Sequence, residues 1–435
     1  MSETAISTIA EINPGVRIPK EITGSDEVSF IPMSDVSESG DWTSHQTRPL
    51  RSVTAGFTAF EEGDVLVAKI TPCLENGKGT HARALRNGIG FGSTEFHVLR
   101  ARQGVEPRFV FHVTQSQRFR QAAERQMVGS AGQQRVQRQF FDEFLIREFS
   151  SDEQIGISQI LDTLDSAIRE TEVLIDKLKA VKQGLLHDLL TRGIDTNGQL
   201  RPPQSEAPHL YKESPLGWIP REWDVVTLES VSSTVTSGSR DWARFYADSG
   251  ALFVRIGNLT REHINFRYDS VIRVQPPANG DGQRTKLEPG DILVSITADL
   301  GIIGVVPEGM GEAYINQHIA LVRPSGALVN SRFVGHYLAG PIMQAYISQL
   351  NDAGAKAGLN LPTIRNLPSA FPSRFEQDQI AARLDEIDNR IQNAMTEAKK
   401  LSELKSGLMD DLLTGRVRVT PLLESVQQPV GQTGA

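Results

Sequence analysis

Residues Lys182–Gly193 read KQGLLHDLLTRG, and residues Lys405–Arg416 read KSGLMDDLLTGR. The two stretches lie 223 positions apart, and that offset returns along the chain. EQIGISQILDTLD from Glu153 aligns with EQDQIAARLDEID from Glu376, without a gap through to Thr191 and Thr414. SFIPMSDVS from Ser29 matches LFVRIGNLT from Leu252 in apolar pattern, and STEFHVLR from Ser93 matches NQHIALVR from Asn316. GDVLV from Gly63 matches GDILV from Gly290 at an offset of 227, and RFVFH from Arg108 matches RFVGH from Arg332 at 224. The order is kept throughout, and the small changes in offset are those that loop insertions produce. The chain is a tandem duplication of a unit of about 220 residues, too long for a solenoid repeat.

Each unit has two parts. The first is rich in Gly, Thr, Val and turn residues, and GDVLVAKI and GDILVSI are short β-branched runs opened by a Gly-Asp turn. These runs predict a mixed α/β (α+β) globular head. The second part is free of proline and helical. In its first copy heptad d positions fall on Ile157, Leu164, Thr171, Leu178 and Leu185, and a positions on Leu161, Ile168, Ile175, Lys182 and Leu189. In its second copy d falls on Ile380, Ile387, Ala394, Leu401 and Leu408, and a on Leu384, Ile391, Ala398, Lys405 and Leu412. A 3.5-residue apolar period held this long marks a coiled-coil seam. Lysine at the same a position of both helices lowers stability but fixes register. Pairing of the two repeats by a pseudo-two-fold predicts an antiparallel coiled coil. From Ile157 to Leu189 such a helix runs about 50 Å at 1.5 Å per residue. Two similar heads separated by two long helices form a ruler, and major-groove positions on one face of DNA recur about every 34 Å.

The boundaries predicted are a first head at 1–150, a helical spacer at 151–193, a Pro-rich linker at 194–220, a second head at 221–372, a second helical spacer at 373–418 and a disordered tail at 419–435. No apolar run reaches the length of a membrane span. MSETAISTIAEINPG has no basic segment followed by an apolar one, so no signal peptide is read. The lone Cys73 excludes an internal disulfide and a cysteine-based zinc site. Together these predict a soluble, cytoplasmic protein. The net charge of −8 speaks against a nucleic-acid binder. Its distribution softens that: Arg100, Arg102, Arg108, Arg118, Arg120, Arg125, Arg135 and Arg138 face only Glu106 and Glu124 in their stretch, and a local basic face binds phosphates on an acidic protein.

Catalytic constellations are missing from the sequence. ENGKGT at Glu75–Thr80 lacks the spacing of a phosphate loop, and LRNGIGFGST is a Gly-rich turn before a strand. His81, His97, His112, His187, His263, His318 and His336 show no H-E-x-x-H pairing. His112 and His336 occupy matched places, which suits shared packing better than a ligand pair. Asp64 and Asp291 read as turn formers. With two similar heads and no catalytic group, the pattern is that of a recognition subunit, with no metal site.

Four stretches carry a family resemblance over nearly the whole chain: YKESPLGWIPREWDVVTL (Tyr211–Leu228), GLLHDLLTRGIDTNGQLR, EQDQIAARLDEIDNRI and INQHIALVRP. With them the chain resembles the specificity subunit of type I restriction-modification systems. The first head departs by lacking a Gly-Trp-Ile-Pro opening. The resemblance implies two target recognition domains that each read one half of a split site on double-stranded DNA. It implies helices that set the unread spacer and dock two methylase subunits, with motor-nuclease subunits joining to restrict unmodified DNA. It places S-adenosylmethionine on the methylase subunits and ATP with Mg on the motor subunits, leaving this chain non-catalytic and without a cofactor. Base readout takes Arg or Lys to guanine and Asn or Gln to adenine. The loop candidates are Lys69, Lys78, Arg83, Gln133, Gln134 and Arg135 in the first head, and Arg240, Arg244, Arg255, Asn258, Gln317 and Lys356 in the second. Two other readings stay open: a stand-alone nuclease or methyltransferase with an unrecognised site, and a coiled-coil scaffold without a DNA role.

Overall fold

A computed structural model describes residues 2–130, 132–276, 280–326, 329–352 and 359–419. The segment expected to be a disordered tail lies, from residue 420 on, outside the described residues. The chain forms two compact units, 1–172 with 396–435 and 173–395. Two helices of 41 residues, Ser151–Thr191 and Arg374–Thr414, each begin in one unit and end in the other.

Each head is built on the same frame. In the first, one antiparallel sheet runs Ala10–Ile12, Phe96–Ala101, Val65–Ala68, Gly79–His81 in neighbour order. The second head repeats it with Ser232–Ser237, Ile319–Pro324, Ile292–Ser295, Ile303–Val305. The GDVLV and GDILV runs supply the inner strands, whose residues are buried on both faces. This explains why they read as continuous apolar runs rather than alternating ones. A second sheet in each head is centred on a parallel pair, with Ser29 opposite Gly90 and Leu252 opposite Ala313, so both partners shift by the same 223 positions.

The turn ahead of each inner strand is held twice over. Gly63 and Gly290 both take φ of +86°, a conformation that favours glycine. Asp64 accepts from the Glu61 amide, and Arg100 donates to both its carboxylate oxygens at 2.8 Å. Asp291 accepts from the Glu288 amide, and Arg323 repeats the fork at 2.7 and 2.8 Å. The two aspartates therefore form turns, as expected.

The long helices pair antiparallel inside each unit. The first unit packs Ile157 and Leu161, near the start of the first helix, with Met409, Leu412 and Leu413 at the end of the second. The second unit packs Leu186, Leu189 and Leu190 with Ile380, Ala381 and Leu384. Each helix ends in the core of the head from the other repeat, so Leu186 and Leu190, off the a/d seam, and their counterparts Met409 and Leu413 must also be apolar. Phe109, Phe119, Phe140 and Phe141 share the first of these cores, and Trp223, Phe333 and Tyr337 the second. Gly193 and Gly415, with φ of +61° and +69°, follow the last turns, as a left-handed helix cap requires.

Candidate nucleic-acid interface

The helix that follows the main sheet is clasped to the opening of the long helix in each repeat. On Pro107–Gln115, Arg108 Nε donates to Asp162 Oδ1 at 2.5 Å, and His112 Nε2 lies 2.9 Å from the same oxygen. On Ser331–Ala339, Arg332 Nε donates to Asp385 Oδ2 at 2.5 Å, and His336 Nε2 lies 2.7 Å from Oδ1. Burial pushes both imidazoles below their ordinary value. Burial alone would raise Asp162 and Asp385, but the histidine hydrogen bonds and the arginine charges hold both carboxyls below the usual range. Gln154 and Gln377 add a matched pair of bonds: the first accepts from the Glu106 amide and donates to Phe149 O, the second accepts from the Asn330 amide and donates to Pro372 O.

One turn further along each long helix, Asp165 meets Lys405 and Asp388 meets Lys182, the latter at 2.5 Å. The a-position lysines are thus neutralised by buried aspartates of the opposing helix. His112, Asp162 and Asp165 lie close enough together to surround a cation. Arg108 and Lys405 already supply positive charge to both carboxylates, so the trio is an internal ion-pair network. His112 and His336 have the shared packing role expected of them. The aspartates were missed in the sequence, although LDTLD and LDEID carry them at the repeat offset.

The expected DNA contacts are spread over both heads. In the first head, Lys69, Gln134 and Arg135 come together: Lys69 O accepts from the Val136 amide, and Gln134 O accepts from the Thr71 amide. Arg135 donates to both oxygens of Glu95, at 3.0 and 2.9 Å, and to Gln133 O. Lys78 donates to Met33 O. Arg83 and Gln133 are exposed, with no side-chain ion pair among the described residues. In the second head, Arg240 is exposed, Arg244 lies over the Phe245 ring at 4.8 Å, Arg255 donates to Ser270 Oγ, and Gln317 Nε2 lies 2.9 Å from His318 Nε2. Asn258 is a correction. It is 3% exposed, its Oδ1 accepts from the Arg255 amide, and its Nδ2 donates to Arg267 O and Ser270 O. Its amide holds a loop and is not free for base readout. Asp35 has the matching job in the first head, accepting from Gln46 at 2.6 Å. Lys356 lies outside the described residues.

Residues 220–406 match the family described as Type I restriction modification DNA specificity domain. Two Escherichia coli relatives are similar over this part. The EcoAI type I restriction enzyme specificity subunit is 35% identical over 192 residues, covering 43% of this chain and 32% of that one. The EcoEI specificity subunit is 32% identical over 190 residues, covering 42% and 32%. The match spans about a third of the length of either relative. The solved type I restriction-modification S subunit from M. genitalium covers 95% of this chain and 96% of its own, with a TM-score of 0.59 at 15% identity, so its fold is shared along nearly the whole chain. Residues 220–406 thus match the DNA specificity domain of type I restriction-modification systems, and the fold of the chain is that of a solved S subunit.

Proposed function

We propose that the chain is the DNA-recognition subunit of a type I restriction-modification complex. Each head reads one half of a split site on double-stranded DNA, and the paired helices set the unread spacer and dock two methylase subunits. Motor-nuclease subunits join the complex to restrict unmodified DNA. The observation that carries this reading is the duplication itself. Two heads on one frame, each closed by the helix end of the other repeat, suit a target with two separate halves. Docking is supported by large apolar side chains that the seam leaves exposed on the long helices, Leu174, Val181 and Leu404. The residues proposed to meet DNA are the loop cations and amides Lys69, Lys78, Arg83, Gln133, Gln134, Arg135, Arg240, Arg244, Arg255 and Gln317. Those already paired within the fold are better suited to hold loops or touch phosphates than to read bases.

Tagged chain co-expressed with its methylase and motor subunits tests the reading. Both partners are expected to co-purify with it, and methyl transfer from S-adenosylmethionine to DNA should require the chain. Methylation by the methylase alone at the same sites would overturn the proposal. So would methyl transfer or cleavage by this chain without partners.

A further inference from the structure

The two heads differ in chemistry at a loop of identical length and place. In the first head, residues 82–88 (ARALRNG) join strand Gly79–His81 to strand Ile89–Gly92. In the second, residues 306–312 (VPEGMGE) join Ile303–Val305 to Ala313–Ile315. The flanking strands keep the same pairing, yet the first loop carries Arg83 and Arg86 where the second carries Glu308 and Glu312. A shared frame with opposed loop charge means the loop does not serve the frame.

In the first head this loop borders a cleft. The cleft holds about 450 Å³ and is lined by Ser29, Trp42, His45, Thr47, Leu85, Arg86 and their neighbours. The Trp42 and His45 rings lie against each other on one wall, with centroids 4.1 Å apart and planes tilted by 38°. Three lining residues, His45, Ala84 and Asn87, have φ of +46°, +57° and +57°. They are half of the six non-glycine residues with positive φ among those described. Such backbone costs about 1–3 kcal/mol per residue and collects at binding sites. Here it is held from beneath. Glu62 accepts from the Ala84 and Leu85 amides at 2.7 Å each, the Arg86 amide donates to the buried Ser29 Oγ, and Asn87 Nδ2 donates to Glu27 O. The Arg86 side chain is exposed and makes no ion pair among the described residues, and Asn87 Oδ1 accepts no hydrogen bond there.

The geometry points to this cleft as the base-reading edge of the first head, with Arg86 and Asn87 hydrogen-bonding base edges and the Trp42–His45 ring pair setting their approach. An arginine fork fits the two major-groove acceptors of guanine, and an amide oxygen fits an exocyclic amino group. The assignment rests on the proposed function, and its target class is one half-site of double-stranded DNA.

The test is single-molecule sequencing of methylated host DNA with the complete system carrying wild-type chain, Arg86→Ala or His45→Asn. Asparagine tolerates the left-handed backbone at position 45, so the second substitution removes the ring and keeps the loop. The expected result is that both variants relax one half of the motif by about tenfold or more in base discrimination. The other half and the spacer should stay unchanged. A wild-type split motif copied unchanged by both variants would overturn the cleft assignment and leave the proposed function standing. Equal loss of methylation at every site with the motif intact would also overturn it, since that is the behaviour of a phosphate contact. Failure of the wild-type chain to give a split motif would overturn the function and this assignment together.

Discussion

Lys182 is the residue whose chemistry the sequence makes hardest to accept, since it puts an ammonium in an apolar seam. It is buried with Asp388, which is 1% exposed. A buried pair contributes little net stability compared with apolar residues, but losing one partner strands the other charge. Lys182→Met should therefore destabilise the chain by about 3–5 kcal/mol. Lys182→Met with Asp388→Leu should regain most of that loss, read by equilibrium urea unfolding. Equal instability of single and double variants would show that the pair does more than cancel charge. His81 tests a different kind of burial. Its imidazole is pushed down to about 4 from an ordinary 6.5, by burial first and then by the charges of Arg83 and Arg108. The folded protein keeps His81 neutral while the unfolded chain takes up a proton below 6.5. Its contribution to stability is thus complete above 6.5 and is lost as pH falls toward 4. Burial sets His97, His112, His263 and His336 in the same direction. His81→Leu should shrink the loss of stability between about pH 7.5 and about pH 5.5 by roughly 1.4 kcal/mol, measured by urea midpoints at the two values. An unchanged difference would mean that His81 is solvated in the native state.

The long helices show what a heptad pattern can and cannot say. The seam and its antiparallel sense follow from the a/d positions and the duplication. The Asp162 and Asp385 clasps do not, because each partner lies on another helix more than 45 positions away, and an aspartate off the seam reads as a solvated face. Asn258 failed for the same reason. From sequence it is a polar loop residue, and only the packed loop shows its amide bonded to three backbone groups. The antiparallel pairing has a crossed consequence. Leu190, on the helix of the first repeat, is buried in the second head, and Leu413, on the helix of the second repeat, is buried in the first. Truncating a buried leucine to alanine costs about 2–5 kcal/mol. Leu190→Ala should thus speed amide exchange chiefly in the second head and Leu413→Ala chiefly in the first, read by hydrogen-exchange mass spectrometry. Loosening of the head on the same repeat as the mutation would contradict the pairing.

For the molecule as a whole, the duplication organises fold and function alike. Each unit draws the opening of one long helix and the close of the other. One repeat by itself carries both halves once. A fragment of residues 1–220 should therefore pair with a second copy, using Lys182 against Asp165 in place of Lys405, and analytical ultracentrifugation should find a dimer. A folded monomer would show that the helix ends are not exchangeable between repeats. The sequence made the two heads and the helices legible because periodicity and repeat offsets survive without coordinates. It did not make the proposed reading surface legible, because the Trp42, His45 and Arg86 cleft joins residues from three separate loops and strands.

The central claim is that two heads on one helix pair read a divided DNA target. Single-molecule methylation sequencing of a host genome, with and without this gene beside its partner subunits, tests it most directly. The account predicts adenine methylation in both halves of one motif, separated by a fixed unread spacer and present only when the chain is expressed. A continuous motif, or a methylation pattern unchanged by the chain when every subunit is present, would contradict it.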